Sequence, residues 1–360
     1  MRTLDVRAAA LLLAACLAAG CSGPAGAAGV RPGSATPSSA APSGGSVTGR
    51  SAGTGAGDPL GSLAKYADAV DAAHRHGLAV WLETDLVTRW LQGPESLAAG
   101  VGRVAELARR PGVVGVKLAD ELGETDGLDS QGRVLAFLRD ASRALRAALP
   151  ASTKLLVDVV VPELGCMPGV ARVADRSQQC VDRVQARWPG ATLDVVDAVV
   201  RSGLLDAVDV STGLLDQAEY EAWGSTREDA QRAAWQEIAR RGWSDHVEVR
   251  ARKAMAVPAP FGTAAEAAAA VPTFVDLPLT GGARAVDIWT WRQRYDGATV
   301  GLMDQRLRPN ALWRALLQRR SRGADLLTHF SPSQLQRSLD ADLTTVATVF
   351  SGVFIAAGTG

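Results

Sequence analysis

The chain has 360 residues with 38 basic and 38 acidic side chains, so its formal net charge is zero. This balance gives no electrostatic reason to expect nucleic acid as a partner. Hydrophobic residues make up 47% and charged residues 21%, which is the composition of a globular protein with a sizeable core.

The N-terminus has the pattern of an export signal. A region with two arginines precedes the apolar stretch 8–19, which is too short for a permanent membrane span. The stretch runs into the letters LAAGCSG, which resemble a bacterial lipoprotein signal. The resemblance implies that residues 1–21 are a signal peptide and that Cys21 is lipidated. Cys16 fits the local pattern but leaves too little apolar core before it, and an ordinary secretory signal is the alternative.

Residues 22–58 consist almost entirely of Gly, Ala, Ser, Pro and Thr. Such a segment cannot bury enough apolar surface to offset the entropy of ordering it, so its composition predicts a flexible tether. A lipid anchor followed by a tether predicts a protein attached to the extracytoplasmic face of the cell membrane.

Export also bears on the remaining cysteines, Cys166 and Cys180. An oxidising compartment favours a disulfide between them, and two separate buried thiols are the alternative. The chain has no CxxC and no Cys/His cluster with the spacing of metal ligands. It also lacks a P-loop and a GxGxxG fingerprint. We therefore expect neither a metal nor a cofactor.

From residue 60 onward, helical stretches alternate with short apolar runs. The runs predict six strands, at 78–85, 113–120, 154–162, 206–212, 246–258 and 283–291. This alternation indicates a parallel sheet covered by helices. The segment 59–322 is close to the ~250 residues of a (β/α)8 TIM barrel, which is the predicted fold. Residues 323–360 are assigned to a C-terminal tail that adds a strand or a helix.

Six strands are fewer than the eight of a closed barrel. The first βα unit is not recognisable, because the tether runs almost directly into a helix. A barrel that is incomplete or irregularly closed at this unit is therefore left open, with a doubly wound sheet as the alternative.

Nearly every predicted strand carries acid, base or tryptophan towards its C-terminal end. In a parallel α/β fold these ends lie on one side, where binding sites form. Period-2 alternation predicts that Glu121 shares a face with Lys117 while Asp120 points away. His329 is assigned to the tail. The strand-end residues are Glu83, Asp85, Lys117, Asp120, Glu121, Asp158, Glu163, Arg252, Lys253, Asp287, Trp289 and Trp291.

The letters GVVGVKLADEL resemble the strand of TIM-barrel glycoside hydrolases that delivers an acidic residue into the sugar site. VDIWTW is similar to the late strand that places tryptophan beneath a sugar ring. The resemblance implies hydrolysis by one protonated and one ionised carboxyl group. Glu121 is then the acid, and Glu83, Asp158 and Glu163 are candidates for nucleophile or base. The implied substrate-binding residues are Asp85, Lys117, Asp120, Arg252, Lys253, Asp287, Trp289 and Trp291.

Other functions stay open beside this carbohydrate-acting barrel. One is a solute-binding lipoprotein with two lobes, and another is a degenerate barrel that binds or scaffolds without catalysis. A third is a Schiff-base lyase that uses Lys117 or Lys253. The same residues also have structural interpretations: Asp158 as a partner of Lys117 or Arg252, and Glu163 as loop surface.

Overall fold

A computed structural model of the chain describes residues 59–169, 174–258, 263–295, 297–304 and 306–356. These residues belong to one compact unit. The predicted signal peptide, Cys21 and the predicted tether lie outside the described residues. No helix in the described part is long and apolar enough to span a membrane.

Eight parallel strands close into a barrel. They follow one another around it in the order β5-β4-β3-β2-β1-β10-β9-β7, and β5 pairs with β7 to complete the circle. The barrel strands are β1 (Ala79–Glu83), β2 (Val113–Lys117), β3 (Lys154–Val160), β4 (Ala207–Ser211), β5 (Glu248–Ala254), β7 (Val286–Tyr295), β9 (Leu326–Phe330) and β10 (Gly352–Ala356). Two short strands, β6 (Val257–Pro258) and β8 (Ala298–Gly301), extend β7 beyond the barrel.

Helices surround the barrel and cover its outer face. Several begin at a side chain that accepts a hydrogen bond from a backbone N–H of the first turn, including Asp85, Thr192 and Asn310. The helices are α1 (Pro59–Arg75), α2 (Leu86–Leu91), α3 (Pro94–Ala108), α4 (Gln131–Ala148), α5 (Pro162–Gly165), α6 (Ala174–Arg187), α7 (Leu193–Val200), α8 (Gln217–Ala222), α9 (Arg227–Arg240), α10 (Ala264–Val271), α11 (Leu277–Thr280), α12 (Ala311–Ser321) and α13 (Leu339–Ala347).

The predicted TIM barrel is confirmed, and it is complete. The two strands beyond the six predicted ones are β9 and β10. Both lie in the segment 323–360, to which an added strand or helix was assigned, and this segment closes the barrel. Helix α1 packs against α13, α3, β1 and β10. It therefore occupies the place of the helix that would follow the last strand. The first βα unit is present as β1 with α2 and α3, and helix α1 precedes it along the chain.

The barrel interior consists of an apolar layer with a charged layer above it. The apolar layer contains Trp81, Leu156, Ala207, Ala285, Leu327 and Phe354. Two residues further along the same strands, the next inward side chains include Glu83, Asp158, Asp209, Asp287 and His329. The charged layer therefore lies towards the C-terminal ends of the strands.

The predicted disulfide between Cys166 and Cys180 is present, with an S–S distance of 2.00 Å. It joins the end of α5 to α6, and both sulfur-bearing residues are buried in a small apolar cluster with Val184. The bridge therefore ties the insertion between β3 and β4 to the segment that follows β3.

Gly115 of β2 makes room for the Trp81 ring inside the barrel. A Cβ atom at this position would lie 2.2 Å from Cζ3 of Trp81. We expect Gly115→Ala to lower the free energy of unfolding by about 1–3 kcal/mol, because the enclosed ring has no free space to move into. Urea denaturation measures the change. Gly132→Ala is the control, since a Cβ there meets no atom within 4 Å; an equal loss in both variants would contradict the packing argument.

Candidate functional site

Lys117 of β2 is the central cation of the charged layer. Its Nζ lies 2.6 Å from Oε1 of Glu83, 2.8 Å from Oδ2 of Asp158 and 2.9 Å from Oδ1 of Asp120. The side chain is fully buried. Burial by itself would lower the pKa of Lys117, but Asp120, Asp158 and Glu83 together raise it well above its usual range. The ammonium group therefore stays charged and holds three carboxylates.

Arg252 of β5 is the second cation and shares two of these carboxylates. Its Nε lies 2.8 Å from Oδ2 of Asp158, and its Nη2 donates to Oδ1 of Asp120 at 2.9 Å. Its Nη1 donates to Oε1 of Glu121 at 3.2 Å. Burial raises the pKa of Asp158, and Arg252 and Lys117 oppose that rise. Asp158 thus has the structural role that the sequence left open, as a partner of both cations.

His329 of β9 joins two further carboxylates. Its Nδ1 donates to Oε2 of Glu83 and its Nε2 to Oδ2 of Asp287, each at 3.0 Å, and its ring stacks on Phe354. Burial alone would lower the pKa of His329, but Asp287 and Glu83 raise it to about 10. The assignment of His329 to a tail was wrong. Its position near the end of the short apolar run LLTHF is the signal that identifies it as a strand-end residue.

Arg250 connects the charged layer to the apolar layer beneath it. Its Nε donates to Oδ1 of Asp209 at 2.6 Å, and its guanidinium lies 4.5 Å from the ring centroid of Trp81. Burial raises the pKa of Asp209 to about 6, against the attraction of Arg250. Arg250 lies on β5, one inward position deeper than Arg252, and Asp209 lies on β4, opposite Asp158 of β3.

Solvent reaches the upper carboxylates but not the lower ones. The side chains of Asp158 and Asp287 are 0% exposed, whereas those of Glu83, Glu121 and Asp120 are 18%, 22% and 53% exposed. The barrel mouth therefore presents acids that are held from below by buried cations.

Asp120 and Glu121 both turn towards Arg252, so the predicted alternation between them was wrong. Strand β2 ends at Lys117, and Glu121 adopts a left-handed backbone with φ of 49°. The backbone N–H of Glu121 donates to Oδ1 of Asp158 at 3.2 Å. Alternation applies only to extended backbone, and the chain leaves that conformation before residue 120.

Glu124 is a mouth residue that sequence reasoning missed. It is half-buried, and burial together with the neighbouring Glu121 raises the pKa of Glu124 to about 7. In contrast, although burial opposes the change, His329 and Lys117 lower the pKa of Glu83 to about 2. One mouth therefore holds a carboxyl group that carries a proton near neutral pH and another that is ionised. The acid-rich letters GETDG were the available signal for Glu124.

Two predicted site residues have structural partners away from this cluster. Asp85 caps helix α2 by accepting from the backbone N–H of Thr88 at 3.0 Å. Glu163 is buried and accepts from Gln185 and from the backbone N–H of Leu193, so it holds α6 and α7 in place. Neither the catalytic role of Glu163 nor its loop-surface alternative matches this position.

The remaining predicted residues divide between the mouth and the outer face of the barrel. Trp289 is half-buried at the end of the barrel section of β7, whereas Trp291 is buried against Trp313. Lys253 lies on the outer face of β5, with its Nζ 4.6 Å from the ring centroid of Phe274. Burial lowers the pKa of Lys253 to about 8. Of these residues, Trp289 is the one that shares the inward face of β7 with Asp287 by the alternation of the strand.

Among the described residues, no group of three or more His, Cys, Asp or Glu side chains is arranged to hold a metal ion. The carboxylates that gather in the barrel instead face Lys117, Arg252 and His329.

Neither a model of a known protein family nor a curated protein matches the chain. Solved structures of the same fold class match the chain. A protein assigned as a phosphonomutase from Burkholderia cenocepacia J2315 is 14% identical, with 82% of this chain and 92% of that chain covered and a TM-score of 0.39. The CBM22-1–GH10 modules of Clostridium thermocellum endo-1,4-beta-D-xylanase 10B are 14% identical, with 61% and 44% covered and a TM-score of 0.37. Beta-glucosidase 1317 is 15% identical, with 83% and 78% covered and a TM-score of 0.33. These weak likenesses concern the fold alone.

The His329 imidazolium predicts a pH-dependent stability. The pKa of this group is raised from 6.5 to about 10 on folding, so its stabilisation is complete below pH 6.5 and is lost as the pH rises through about 10. We expect the free energy of unfolding to fall between these pH values, and to fall less in His329→Gln. Denaturant titrations at pH 6 to 10 measure the slope. His246→Gln, at an exposed position, is the control and should keep the wild-type slope.

Proposed function

We propose that the barrel mouth binds a carbohydrate and hydrolyses a glycosidic bond. The observation that carries the proposal is that one mouth holds two kinds of acid. Lys117 and His329 contact the two oxygens of Glu83, and the pKa of Glu83 is lowered to about 2. Glu124 is half-buried beside Glu121, and its pKa is raised to about 7. Glycoside hydrolysis requires one carboxyl group that donates a proton and one that is ionised. Glu83 ends β1, and Glu124 lies in the loop after the neighbouring strand β2, on the side of the barrel where TIM barrels place their catalytic residues.

Glu124 is the proposed proton donor to the leaving oxygen. Glu83 is the proposed ionised partner, because Lys117 and His329 fix both of its oxygens in one orientation. Arg252 holds Glu121 next to Glu124. Glu121 and Glu124 therefore lie on the same side of a scissile bond, and Glu121 cannot be the ionised partner on the opposite side. We therefore assign to Glu121 a positioning role, in which its charge keeps the proton on Glu124.

The half-buried Trp289 supplies the apolar surface for a sugar ring. Its backbone carbonyl accepts hydrogen bonds from Met255 at 2.8 Å and Ala256 at 3.1 Å, which fixes the strand segment that carries the ring. Sugar C–H groups pack well on an aromatic face of this kind.

A binding protein without catalysis is the second candidate. The ion-pair network favours it, because Lys117, Arg252 and His329 compensate the buried carboxylates without any ligand. The Schiff-base alternative has less support. Lys117 stays charged beside three carboxylates, and Lys253 faces away from the mouth. A two-lobed solute-binding architecture differs from the single barrel that is observed.

Glu124→Gln tests the assignment of the proton donor. We expect kcat for glycosides with a poor leaving group to fall by about 10²–10⁴-fold, because the leaving oxygen loses its acid catalyst. Aryl glycosides with an acidic leaving group should lose much less. Wild-type activity should decline as the pH rises through about 7, because Glu124, whose pKa is raised to about 7, then loses the proton that it donates.

Two further variants make this test specific. Glu121→Gln should move the alkaline limb of the pH profile to lower pH, because the neighbouring charge that raises the pKa of Glu124 is gone. Glu106→Gln, at an exposed position of α3, should change nothing. Equal losses for both classes of leaving group would contradict proton donation by Glu124. Ligand binding with no turnover of any glycoside would favour the binding protein.

The proposed location is the extracytoplasmic face of the cell membrane, attached through a lipid on Cys21. The support is the signal-like N-terminus and the tether composition, together with a disulfide that suits an oxidising compartment. Metabolic labelling with a fatty acid should mark the wild-type protein, and Cys21→Ser should abolish the label. A label that survives in Cys21→Ser but disappears in Cys16→Ser would place the anchor at the other cysteine.

A further inference from the structure

The loop after β2 forms an acidic side of the barrel mouth. Residues 118–130 contain five acids and no basic residue. Two of these acids, Asp120 and Glu121, contact Arg252, and Glu124 lies beside Glu121. This side of the mouth holds the proposed proton donor.

The opposite side of the mouth is basic. In the eight-stranded barrel β7 is four strands from β2 in either direction, and β9 is its neighbour. The end of β7, the loop after β8 and the loop after β9 carry a group that we name the arginine rim. Its members are Arg292, Arg294, Arg306 and Arg337.

Backbone pairing holds the first part of the rim above the barrel. Strand β7 continues past its barrel section and turns back as β8, with Arg292 opposite Gly301 and Arg294 opposite Thr299. Arg337 reaches this segment from the loop after β9, where it donates to the backbone carbonyl of Arg306 at 3.3 Å. The four arginines therefore belong to the β7–β8 hairpin strand and to two loops, after β8 and after β9, that contact each other.

Asp342 attracts the half-buried Arg292, but among the described residues no nearby acid pairs with the three exposed members of the rim. Asp304 pairs with Arg308 at 2.7 Å and accepts from the backbone N–H groups of residues 306 and 308. Asp342 is buried and accepts from the backbone N–H groups of residues 336 and 337. Among the described residues, no carboxylate forms an ion pair with Arg294, Arg306 or Arg337, and all three are exposed. Asp296 lies outside the described residues.

We propose that the substrate is an anionic carbohydrate, whose acidic groups bind the arginine rim while a neutral sugar unit lies at the carboxylates. The proposal deepens the proposed function and rests on it. A carboxylate or phosphate on the sugar would pair with the exposed guanidinium groups of Arg294, Arg306 and Arg337, which form no ion pair with another described residue. The same group would be repelled by the acidic loop, so the charge pattern also sets the direction in which the chain binds.

Paired ligands that differ only in charge provide the test. Isothermal titration with the full chain compares oligomeric hexuronates with their methyl esters, and phosphorylated oligosaccharides with their dephosphorylated forms. We expect the charged member of at least one pair to bind at least tenfold more tightly, and rising salt to remove the difference. The pair that shows the effect identifies carboxylate or phosphate as the acidic group.

Arg294→Gln combined with Arg306→Gln should weaken binding of the charged ligand by about tenfold and leave the uncharged ligand unchanged. Both side chains are exposed, so the fold should tolerate the change. The control combines Arg133→Gln with Arg314→Gln, two exposed arginines on α4 and α12, and should bind as the wild type does.

The outcomes separate this inference from the proposed function. If the uncharged ligands bind as tightly as the charged ones and Glu124→Gln still lowers kcat for glycosides with a poor leaving group, the anionic substrate is overturned and the hydrolase stands. An equal loss in the control variant also overturns the rim as the binding surface. If no carbohydrate of either charge binds or is cleaved, both proposals fail.

Discussion

The structure depends on the pairing of buried charges between Lys117, Asp158 and Arg252. Removing charges from water costs several kcal/mol per ion, so none of these side chains could occupy the barrel alone. Here each charge faces at least one opposite charge at less than 3 Å, and the carboxylate of Asp158 lies between the two cations. This compensation lets a TIM barrel replace its upper apolar layer with ionised groups.

The network also determines which acids can carry out chemistry. Lys117 and His329 keep Glu83 ionised, and Arg252 holds Glu121 beside Glu124. Only the acids at the top of the network reach solvent, because the apolar layer closes the barrel from below. Acid–base capacity at the mouth therefore follows from packing as much as from the identity of the acids.

Sequence patterns recovered the part of the site that lies on regular strands. Glu83, Lys117, Asp158, Arg252 and Asp287 occupy strand ends, and period-2 geometry places such residues on one side of a parallel fold. The patterns failed where the backbone leaves the strand. Asp120 and Glu121 share a cation despite their adjacent positions, Asp85 is a helix cap, and Trp291 turns outward to Trp313. These positions depend on bends that periodicity does not report.

The amino-acid sequence by itself determined the alternating β and α elements, the common side on which the strand ends lie, and the disulfide partners. These features follow from local periodicity and from the number of cysteines. The tertiary structure alone decided that the barrel closes through β9 and β10, and that His329 and Glu124 join the site. Barrel closure pairs strands more than 250 residues apart along the chain, as Ala79 and Gly352 show. The protonation of Glu124 and His329 follows from neighbours and burial, which exist only once those distant strands are paired.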